Sequence, residues 1–415
     1  MSRTVVIVAA GSRGDIQPCV ALGQALVARG DHVRLVASAR YAGMVEKAGP
    51  MELAPLTADP TEILDSEAGQ ELLAGGRNPV RFLGGFRRIL GPMAERLLDE
   101  CLGAAKGAGL VLGPTLGMLS QHLGEHLRVP WGLIHFQPSE PTGAFPHPFL
   151  PQTRRLGPWG NRLGYHAIEQ VAWQLGRPFI NPWRRDVLGL PGLPLHGSMR
   201  RARAEGRPVL ACFSPSVVPR PRDWARYVHM TGYWFLDEPR WEPPPELAAF
   251  LGSGAPPVYV GFGSMRPKDP DATDALVRAA LRKAGVRGIV QGDPGTSDDD
   301  VLAVRDVPHS WLFPRMAAVV HHGGAGTTSA GLRAGVPTVV CPFFGDQPYW
   351  AERVAALGAG PPPLPFARLT ADRLASSIQK AVGTPRMAER ARHLGDRIAS
   401  EDGVARACEV LDGLR

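Results

Sequence analysis

The stretch that decides the fold is Val319–Thr328, VVHHGGAGTT. Its apolar, β-branched start predicts a buried strand, and Thr327-Thr328 open a helical stretch. The three glycines between them let a backbone approach a ligand closely, while the free N–H groups and dipole of the helix suit a diphosphate. His322 can add a hydrogen bond or a positive charge. The alternative is a tight strand-to-helix turn with a packed histidine.

The start of the chain shows the same strand–turn–helix pattern. Thr4–Ala10 predicts a strand covered on both faces, Gly11–Pro18 a turn, Cys19–Arg29 a helix and Val33–Ala37 a second strand. This βαβ unit and its later counterpart predict an α/β protein with two Rossmann-like, doubly wound parallel sheets. The later elements are predicted at Val258–Gly261, Thr273–Ala284, Ile289–Gln291, Ala317–Val320, Thr327–Ala334, Thr338–Cys341 and Tyr349–Leu357.

Composition divides the chain into domains. We expect an N-terminal domain at residues 1–236, a linker rich in Pro and Gly at 237–257, and a second domain at 258–395. The tail from Thr370 is helical in pattern, and residues 396–415 are expected to form a last helix that crosses back onto the first domain. With 415 residues, two domains are the natural division.

The composition also excludes several classes of protein. Hydrophobic residues make up 44% and charged residues 20%, which argues against disorder. The net charge of +7 comes from scattered arginines without an aromatic-interleaved basic stripe, so no nucleic-acid partner is expected. The five cysteines form no CxxC pair, and no apolar run reaches about 18 residues. We therefore expect a cytoplasmic protein without stable membrane insertion and without a metal site.

Asp15 is the candidate catalytic residue of the first turn. A carboxylate at the carboxyl end of a parallel strand lies where open α/β sheets bind ligands, and it can act as a general base on a hydroxyl. Capping of the following helix is an equal alternative. GSRGDIQP is not the GxGxxG fingerprint, because Arg13 and Ile16 occupy two of the glycine positions, and no acidic residue ends the second strand. A nicotinamide-dependent oxidoreductase is thereby disfavoured.

Two further segments surround the glycine-rich turn. Asp346 and Gln347 follow the next strand, and a carboxylate beside an amide suits sugar hydroxyls, although a solvated polar loop is the alternative. Val307–Pro314 precedes the histidine strand, so Val307 and His309 can meet a base or ribose, whereas Trp311 is expected in the core. His321 and His322 do not form a metal pair, because adjacent strand residues point to opposite faces.

These motifs resemble a known family. The stretch from His321 to Trp350 resembles the donor-binding motif of the two-domain inverting glycosyltransferases, whose GT-B fold sets two Rossmann-like domains across a cleft. Gly11–Pro18 is similar to their N-terminal motif. Gly157–Asn161 and Asn181–Leu190 resemble the sterol 3-beta-glucosyltransferase branch and its bacterial relatives acting on polyketides and antibiotics. The resemblance covers nearly the whole chain.

The resemblance implies a role for each matching position. Asp15 would deprotonate the acceptor hydroxyl, although many family members have a histidine there, which leaves His135 and His147 as other candidates. The donor would be a nucleotide-diphospho-sugar, most simply UDP-glucose, with a dTDP-deoxysugar as the alternative. No cofactor and no metal would be needed, since a helix N-terminus can stabilise the leaving diphosphate. The implied donor-binding residues are Ser12, Arg13, Ser264, Gln291, Val307, His309, His322, Ala325, Gly326, Thr327, Asp346 and Gln347.

The acceptor implied by the resemblance is a hydrophobic small molecule such as a sterol, macrolide or other polyketide. Aromatic residues and one histidine of the first half are candidates to line its cleft, with ordinary core packing as the alternative for each. These candidates are Phe82, Phe86, Trp131, His135, Phe136, Phe145 and Phe149. Two other functions remain open: a nucleotide-sugar epimerase, and a non-catalytic protein of the same fold that activates a second transferase.

Overall fold

The computed structural model describes residues 2–57, 93–114, 118–152, 156–238, 241–263, 265 and 269–414. Their strands form two fully parallel sheets, one of seven strands and one of five. The expected α/β class with two doubly wound sheets is confirmed. No helix among the described residues is long and apolar enough to cross a membrane.

The first sheet has the order β3-β2-β1-β4-β5-β6-β7. The inner strand β1 is wholly apolar beyond Thr4, because helices cover both faces of the sheet. It pairs with β2 on one side and with β4 on the other. The strands are β1 (Thr4–Val8), β2 (His32–Ser38), β3 (Glu52–Leu56), β4 (Leu110–Pro114), β5 (Trp131–His135), β6 (Val209–Ala211) and β7 (Val228–Met230). The helices are α1 (Arg13–Ala28), α2 (Ala42–Lys47), α3 (described over 93–105), α4 (Leu119–Leu127), α5 (Gly157–Asp186) and α6 (Met199–Ala204).

The second sheet repeats the plan with the order β10-β9-β8-β11-β12. Numbered from its own first strand, this is the 3-2-1-4-5 order that also forms the first five strands of the larger sheet. The strands are β8 (Val258–Gly261), β9 (Gly288–Gln291), β10 (Val301–Val304), β11 (Ala318–His321) and β12 (Thr338–Val340). The helices are α7 (Pro245–Gly252), α8 (Pro270–Ala284), α9 (His309–Leu312), α10 (Ala325–Arg333), α11 (Gln347–Leu357), α12 (Ala371–Gly383), α13 (Pro385–Ala399) and α14 (Gly403–Asp412).

Three predicted elements differ from the structure. The segment expected as a turn at Gly11–Pro18 is mostly helix, because α1 begins at Arg13 where the Ser12–Asp15 pair starts the first turn. Strand β10 was not predicted, since VLAV is too short for a clear pattern. The stretch expected to be a plain linker contains α7, whose Leu247 is buried against the second domain.

The chain crosses between the two domains twice. The first crossing leaves β7 and leads into α7, and Arg333 of α10 binds Asp237 with two 2.7 Å bonds. The second crossing joins α13, which packs on α10, to α14, which packs on α1. Ala407, Cys408 and Leu411 are buried with the core of the first sheet. The first and last parts of the chain are therefore one packing unit.

Candidate active site

The candidate site lies where each sheet reverses its strand order. In the first sheet this point is between β1 and β4, and in the second it is between β8 and β11. Connections leave the carboxyl ends of such neighbouring strands on opposite sides, which opens a crevice that binds ligands in α/β proteins. The connection after β1 leads into α1, whose first turn carries Asp15, and the connection after β11 carries His322, Gly323 and Gly324 and leads into α10, which contains Gly326. The two crevices face each other.

Asp15 is the third residue of α1 and caps its own helix. Its Oδ2 accepts hydrogen bonds from the backbone N–H of Ser12 at 2.8 Å and from the Ser12 hydroxyl at 3.0 Å. A Cβ on Gly11 would come within 2.5 Å of Oδ2, so glycine is required there. The Oδ1 atom accepts no hydrogen bond from the described residues. Burial raises the pKa of Asp15, and the Ser12 bonds oppose that rise. One oxygen of the carboxylate thus caps the helix, and the other is left without a hydrogen bond from the described residues.

The N-terminus of α10 is built differently. Its N-cap is Gly324, which offers no side chain to the free N–H groups. The second residue of the helix, Gly326, is exposed, and a Cβ built on it would lie 3.6 Å from the Cα of Gly14 in α1. Ala325 and Thr327 flank it and are half-buried. The helix therefore presents unpaired backbone donors and its positive dipole end to the gap between the domains.

His322 is held between two glycines beside this helix end. A Cβ on Gly263 would lie 2.9 Å from His322 Cε1, and a Cβ on Gly324 would lie 2.5 Å from Nε2. Burial lowers the pKa of His322 to about 4, so the ring is neutral at pH 7 and can contribute a hydrogen bond rather than a positive charge. Its Nδ1 is buried without a partner among the described residues. The neighbouring His321 instead accepts the Gly323 N–H at Nδ1 (2.9 Å), a structural role.

Asp346 lies within electrostatic range of Asp15, across the gap. It is the N-cap of α11, and its Oδ2 accepts the indole N–H of Trp350 at 2.8 Å. Burial raises the pKa of Asp346 to about 6, with the charge of Asp15 contributing to that rise. Gln347 has its amide oxygen bonded to the backbone N–H of Phe343 at 2.8 Å, and its NH₂ donates one weak hydrogen bond to Met265 Sδ at 3.5 Å, which leaves the second N–H of that group for a ligand. Only half of the expected donor–acceptor amide is thus available to a sugar.

The residues expected near the nucleoside lie at the carboxyl ends of β9 and β10. Gln291 is exposed and accepts the Gly263 N–H at 3.0 Å. His309 stacks on Phe313 with ring centroids 4.2 Å apart, and burial together with the Arg13 guanidinium lowers its pKa to about 4. Arg13 itself crosses the gap and binds Asp306 at 2.8 Å, next to Val307. Trp311 packs against Trp241 with ring centroids 4.9 Å apart.

The acceptor candidates do not gather in one place. Trp131 is 3% exposed and lies under the Arg207 guanidinium, against the helix at Gly124. Phe136 is buried in the core with Trp234. We therefore leave Trp131 and Phe136 out of the proposed site.

Other candidates lie nearer the second domain. Phe145 contacts Tyr349 of α11 at 5.7 Å, and the buried His135 has an unpartnered Nε2. Phe149 is 49% exposed and packs on His147. Phe82, Phe86 and Ser264 lie outside the described residues.

Sequence reasoning missed the residues that orient the site. Trp350 holds Asp346, and its spacing of four residues on one helix was an available signal. Gly14 admits the close approach of α10, but this role depends on the second domain and has no local signature.

Comparison with known protein families finds a match in each half of the chain. Residues 5–104 match the family described as glycosyltransferase family 28 N-terminal domain. Residues 291–411 match the one described as erythromycin biosynthesis protein CIII-like, C-terminal domain. The O-mycaminosyltylonolide 6-deoxyallosyltransferase of Streptomyces fradiae is 40% identical, over 98% of this chain and 96% of that protein.

Two more similar proteins extend the comparison. The sterol 3-beta-glucosyltransferase of Cryptococcus neoformans is 36% identical over 97% of this chain, which spans 26% of that longer protein. The glycosyltransferase SsfS6 of Streptomyces sp. SF2575, solved with thymidine diphosphate, has the same fold, with a TM-score of 0.64, 21% identity and 99% of each chain covered. The chain therefore belongs to the two-domain glycosyltransferases that combine a family 28 N-terminal domain with an erythromycin CIII-like C-terminal domain.

Proposed function

We propose that the protein transfers a hexose from a nucleotide-diphospho-sugar to a hydroxyl of an apolar acceptor, with inversion at the anomeric carbon. The observation that carries this proposal is the meeting of two helix N-termini across one gap. One of them holds a carboxylate with a free oxygen, and the other is uncapped. A base and an anion site on opposite sides of a narrow gap are what in-line displacement at a sugar carbon requires.

The chemistry assigns one task to each side. The acceptor oxygen bonds to the anomeric carbon as the bond from that carbon to the phosphate oxygen breaks, and the acceptor proton passes to Asp15 Oδ1. The leaving nucleoside diphosphate keeps the bonding electrons. Its negative charge develops at Ala325, Gly326 and Thr327, where backbone N–H groups and the helix dipole stabilise it together with His322. We propose that this arrangement makes a metal ion unnecessary.

The donor sugar is proposed to lie against Asp346 and the Gln347 NH₂, and the nucleoside beside Gln291, Val307 and His309. We propose a glucosyl donor, with a dTDP-6-deoxyhexose as the second candidate. The second candidate is supported by the 6-deoxyallosyltransferase of S. fradiae and by the thymidine diphosphate in the SsfS6 structure. For the acceptor, the relatives named for sterols and for O-mycaminosyltylonolide support a hydrophobic polycyclic or macrocyclic alcohol.

The test is a matrix of donors and acceptors. The protein is incubated with UDP-glucose or a dTDP-6-deoxyhexose, together with cholesterol or O-mycaminosyltylonolide, in buffer with and without EDTA. We expect nucleoside diphosphate release that requires an acceptor, a product of inverted anomeric configuration by NMR, and no effect of EDTA. Release without an acceptor, or conversion of the donor into its epimer, would overturn the proposal, as would complete loss of activity on chelation.

A further inference from the structure

Exposed apolar side chains are concentrated in one part of the first domain. Of the nine large hydrophobic residues that are exposed in the described part of the chain, seven lie between residues 149 and 195. The other two, Phe344 and Val382, belong to the second domain. Single exposed apolar residues are common on soluble proteins, whereas a group of them marks a surface that binds something.

The longest run of these side chains follows the outer side of α5. Trp159, Leu163 and Val171 are 83%, 69% and 58% exposed, and the exposed Ala167 lies between the last two. Residues four apart share one side of a helix, so these four side chains follow one another over about 18 Å. We call them the α5 stripe. Trp159 and Leu163 each precede a buried residue by two positions, about 200° round the helix, so the stripe faces away from the core.

A loop that follows α5 widens this apolar surface. The side-chain amides of Gln170 and Gln174 both donate to the backbone oxygen of Leu195, at 3.0 and 2.7 Å. Because these donors lie one residue before and three residues after Val171, the loop is fixed against the helix next to the α5 stripe. The Leu195 side chain is nevertheless 62% exposed. The loop therefore presents a further apolar side chain instead of covering the stripe.

The same part of the chain carries most of the positive charge. Although arginines occur along the whole sequence, residues 156–207 hold eight of them and three acidic residues, a net charge of +5 within a total of +7. Arg185 and Arg200 form no ion pair with any residue that the structure describes. A Cβ on Gly192 would lie 3.3 Å from Arg185 Nη1, so this guanidinium lies against the loop that carries Leu195.

A basic cavity adjoins the stripe at this loop. The cavity has a volume of about 450 Å³, and residues 191–194 and 196–198 of the loop line it together with Arg184, Arg200 and Arg201. Its described lining contains no acidic residue. Arg184 and Arg201 already have carboxylate partners, which leaves Arg200 to bind an external anion. Apolar side chains and an anion-binding arginine thus share one continuous surface.

We propose that the α5 stripe and the arginines beside it dock reversibly on a bilayer surface that contains anionic phospholipids. The apolar side chains enter the boundary between headgroups and acyl chains, where an exposed tryptophan such as Trp159 is well suited, and Arg200 contacts lipid phosphates. The inference goes beyond the proposed function, because it concerns binding to a membrane surface and not sugar transfer.

Charge complementarity selects this occupant over a second copy of the chain. A symmetric dimer places the same patch of both copies face to face. Two α5 stripes packed together would bring two segments of charge +5 close to each other, and their repulsion opposes the gain from apolar contact. A negatively charged lipid surface satisfies both the apolar stripe and the arginines.

The test is co-sedimentation of the full chain with two kinds of vesicle. One kind is phosphatidylcholine alone, and the other contains phosphatidylglycerol in equal amount. We expect binding to the mixed vesicles that weakens as salt is raised, and little binding to phosphatidylcholine alone. Brominated acyl chains in the mixed vesicles should quench tryptophan fluorescence, and Trp159→Phe should remove most of this quenching. Equal binding to both kinds of vesicle, or binding without quenching, would overturn the inference.

Two variants with matched controls locate the docking surface. Leu163→Ser should lower the partition coefficient onto mixed vesicles about tenfold, and Arg200→Gln about fivefold. The controls in the second domain are Val382→Ser, at an exposed aliphatic residue, and Arg386→Gln, which removes the same charge from an exposed position. Both controls should bind like wild type, and all four variants should keep its melting temperature, because their side chains are exposed. An equal loss of binding in the controls would mean that net charge alone drives adsorption, and the inference would be wrong.

Sedimentation equilibrium without vesicles tests the second copy as the occupant. We expect wild type and Leu163→Ser to have the same oligomeric state. A dimer that Leu163→Ser dissociates would show that the α5 stripe is an interface between copies, which refutes the inference. If no donor and acceptor combination releases nucleoside diphosphate, the proposed function fails, while the vesicle measurements decide separately whether this surface docks on a membrane.

Discussion

The two crevices share strand order and differ in two positions at the start of the helix that follows, the N-cap and the third helical residue. In α1 the N-cap is Ser12 and the third helical residue is Asp15, whose carboxylate satisfies the helix end from within. In α10 the N-cap is Gly324 and the third residue is Thr327, so the helix end is left open. The second residues, Gly14 and Gly326, are both glycine and face each other. The same fold thus has a carboxylate at one helix start and an open helix end at the other, which we propose as the base and the anion site.

The largest expected effect removes the base. Asp15→Asn keeps the shape of the cap but cannot take a proton, so turnover should fall by roughly 10²–10⁴. Donor binding, followed by the melting-temperature shift with UDP or TDP, should be nearly unchanged because the anion site belongs to α10. Ser12→Ala, which keeps the carboxylate, should lose far less. An undiminished rate in Asp15→Asn would transfer the role of base to His135 or His147.

The second test makes the two helices alike. Thr327→Asp places a carboxylate at the third residue of α10, where it would cap the helix and repel a diphosphate. Affinity for UDP or TDP should drop by about 10- to 100-fold, the range expected for charges near a helix end. Thr327→Asn, which caps without charge, is the control in titration calorimetry. Equal loss in both variants would indicate that bulk, and not charge, governs the site.

The third test uses pH. The pKa values of Asp15 and Asp346 are both raised, so each carboxylate takes up a proton at a higher pH than usual. Asp346 does so at about pH 6. We expect kcat/KM for the donor to be flat near pH 7–8 and to fall about tenfold per unit below about 6. A profile that is flat down to about pH 4.5 would contradict the raised values.

Asp346→Asn provides a stability readout for the same group. A carboxylate whose pKa rises on folding costs stability when it is ionised, so this variant should melt at a higher temperature than wild type near pH 8. That gain should fade as the pH falls from about 6 to below 3.8, where the carboxyl is protonated in both the folded and the unfolded chain. Melting curves at several pH values test the sign. Loss of stability at pH 8 would mean that the Trp350 hydrogen bond needs the charge.

The smallest effect concerns the ion pair that spans the gap. The side chains of Arg13 and Asp306 are 45% and 77% exposed, so the pair should contribute less than about 1 kcal/mol to stability. Asp306→Asn should change the melting temperature by no more than about 2–4 °C. Because Arg13 is released from its partner, the KM for the donor should change more than stability does. A large drop in melting temperature would show that the pair holds the domains together.

Local sequence signals predicted the fold and each wall of the site separately. Glycines between an apolar strand and a helix indicated the open end of α10, and a carboxylate after β1 indicated the proposed base. The meeting of Gly14 with Gly326, and of Asp15 with Asp346, depends on how the domains pack, for instance through Phe213 and Trp350. Such distant contacts leave no periodic trace in a single sequence. The internal bond of Gln347 was likewise invisible, because it depends on the turn at Phe343.

The two chain crossings between the domains touch each other. A Cβ on Gly232 would lie 3.4 Å from the Cα of Gly403, and Glu401 accepts from the hydroxyls of Ser214 and Ser216 at 2.7 and 3.0 Å. Two connections that lie side by side let the two domains rotate about one axis more readily than they let them twist or slide. We therefore expect any opening that admits a donor to pivot at this contact.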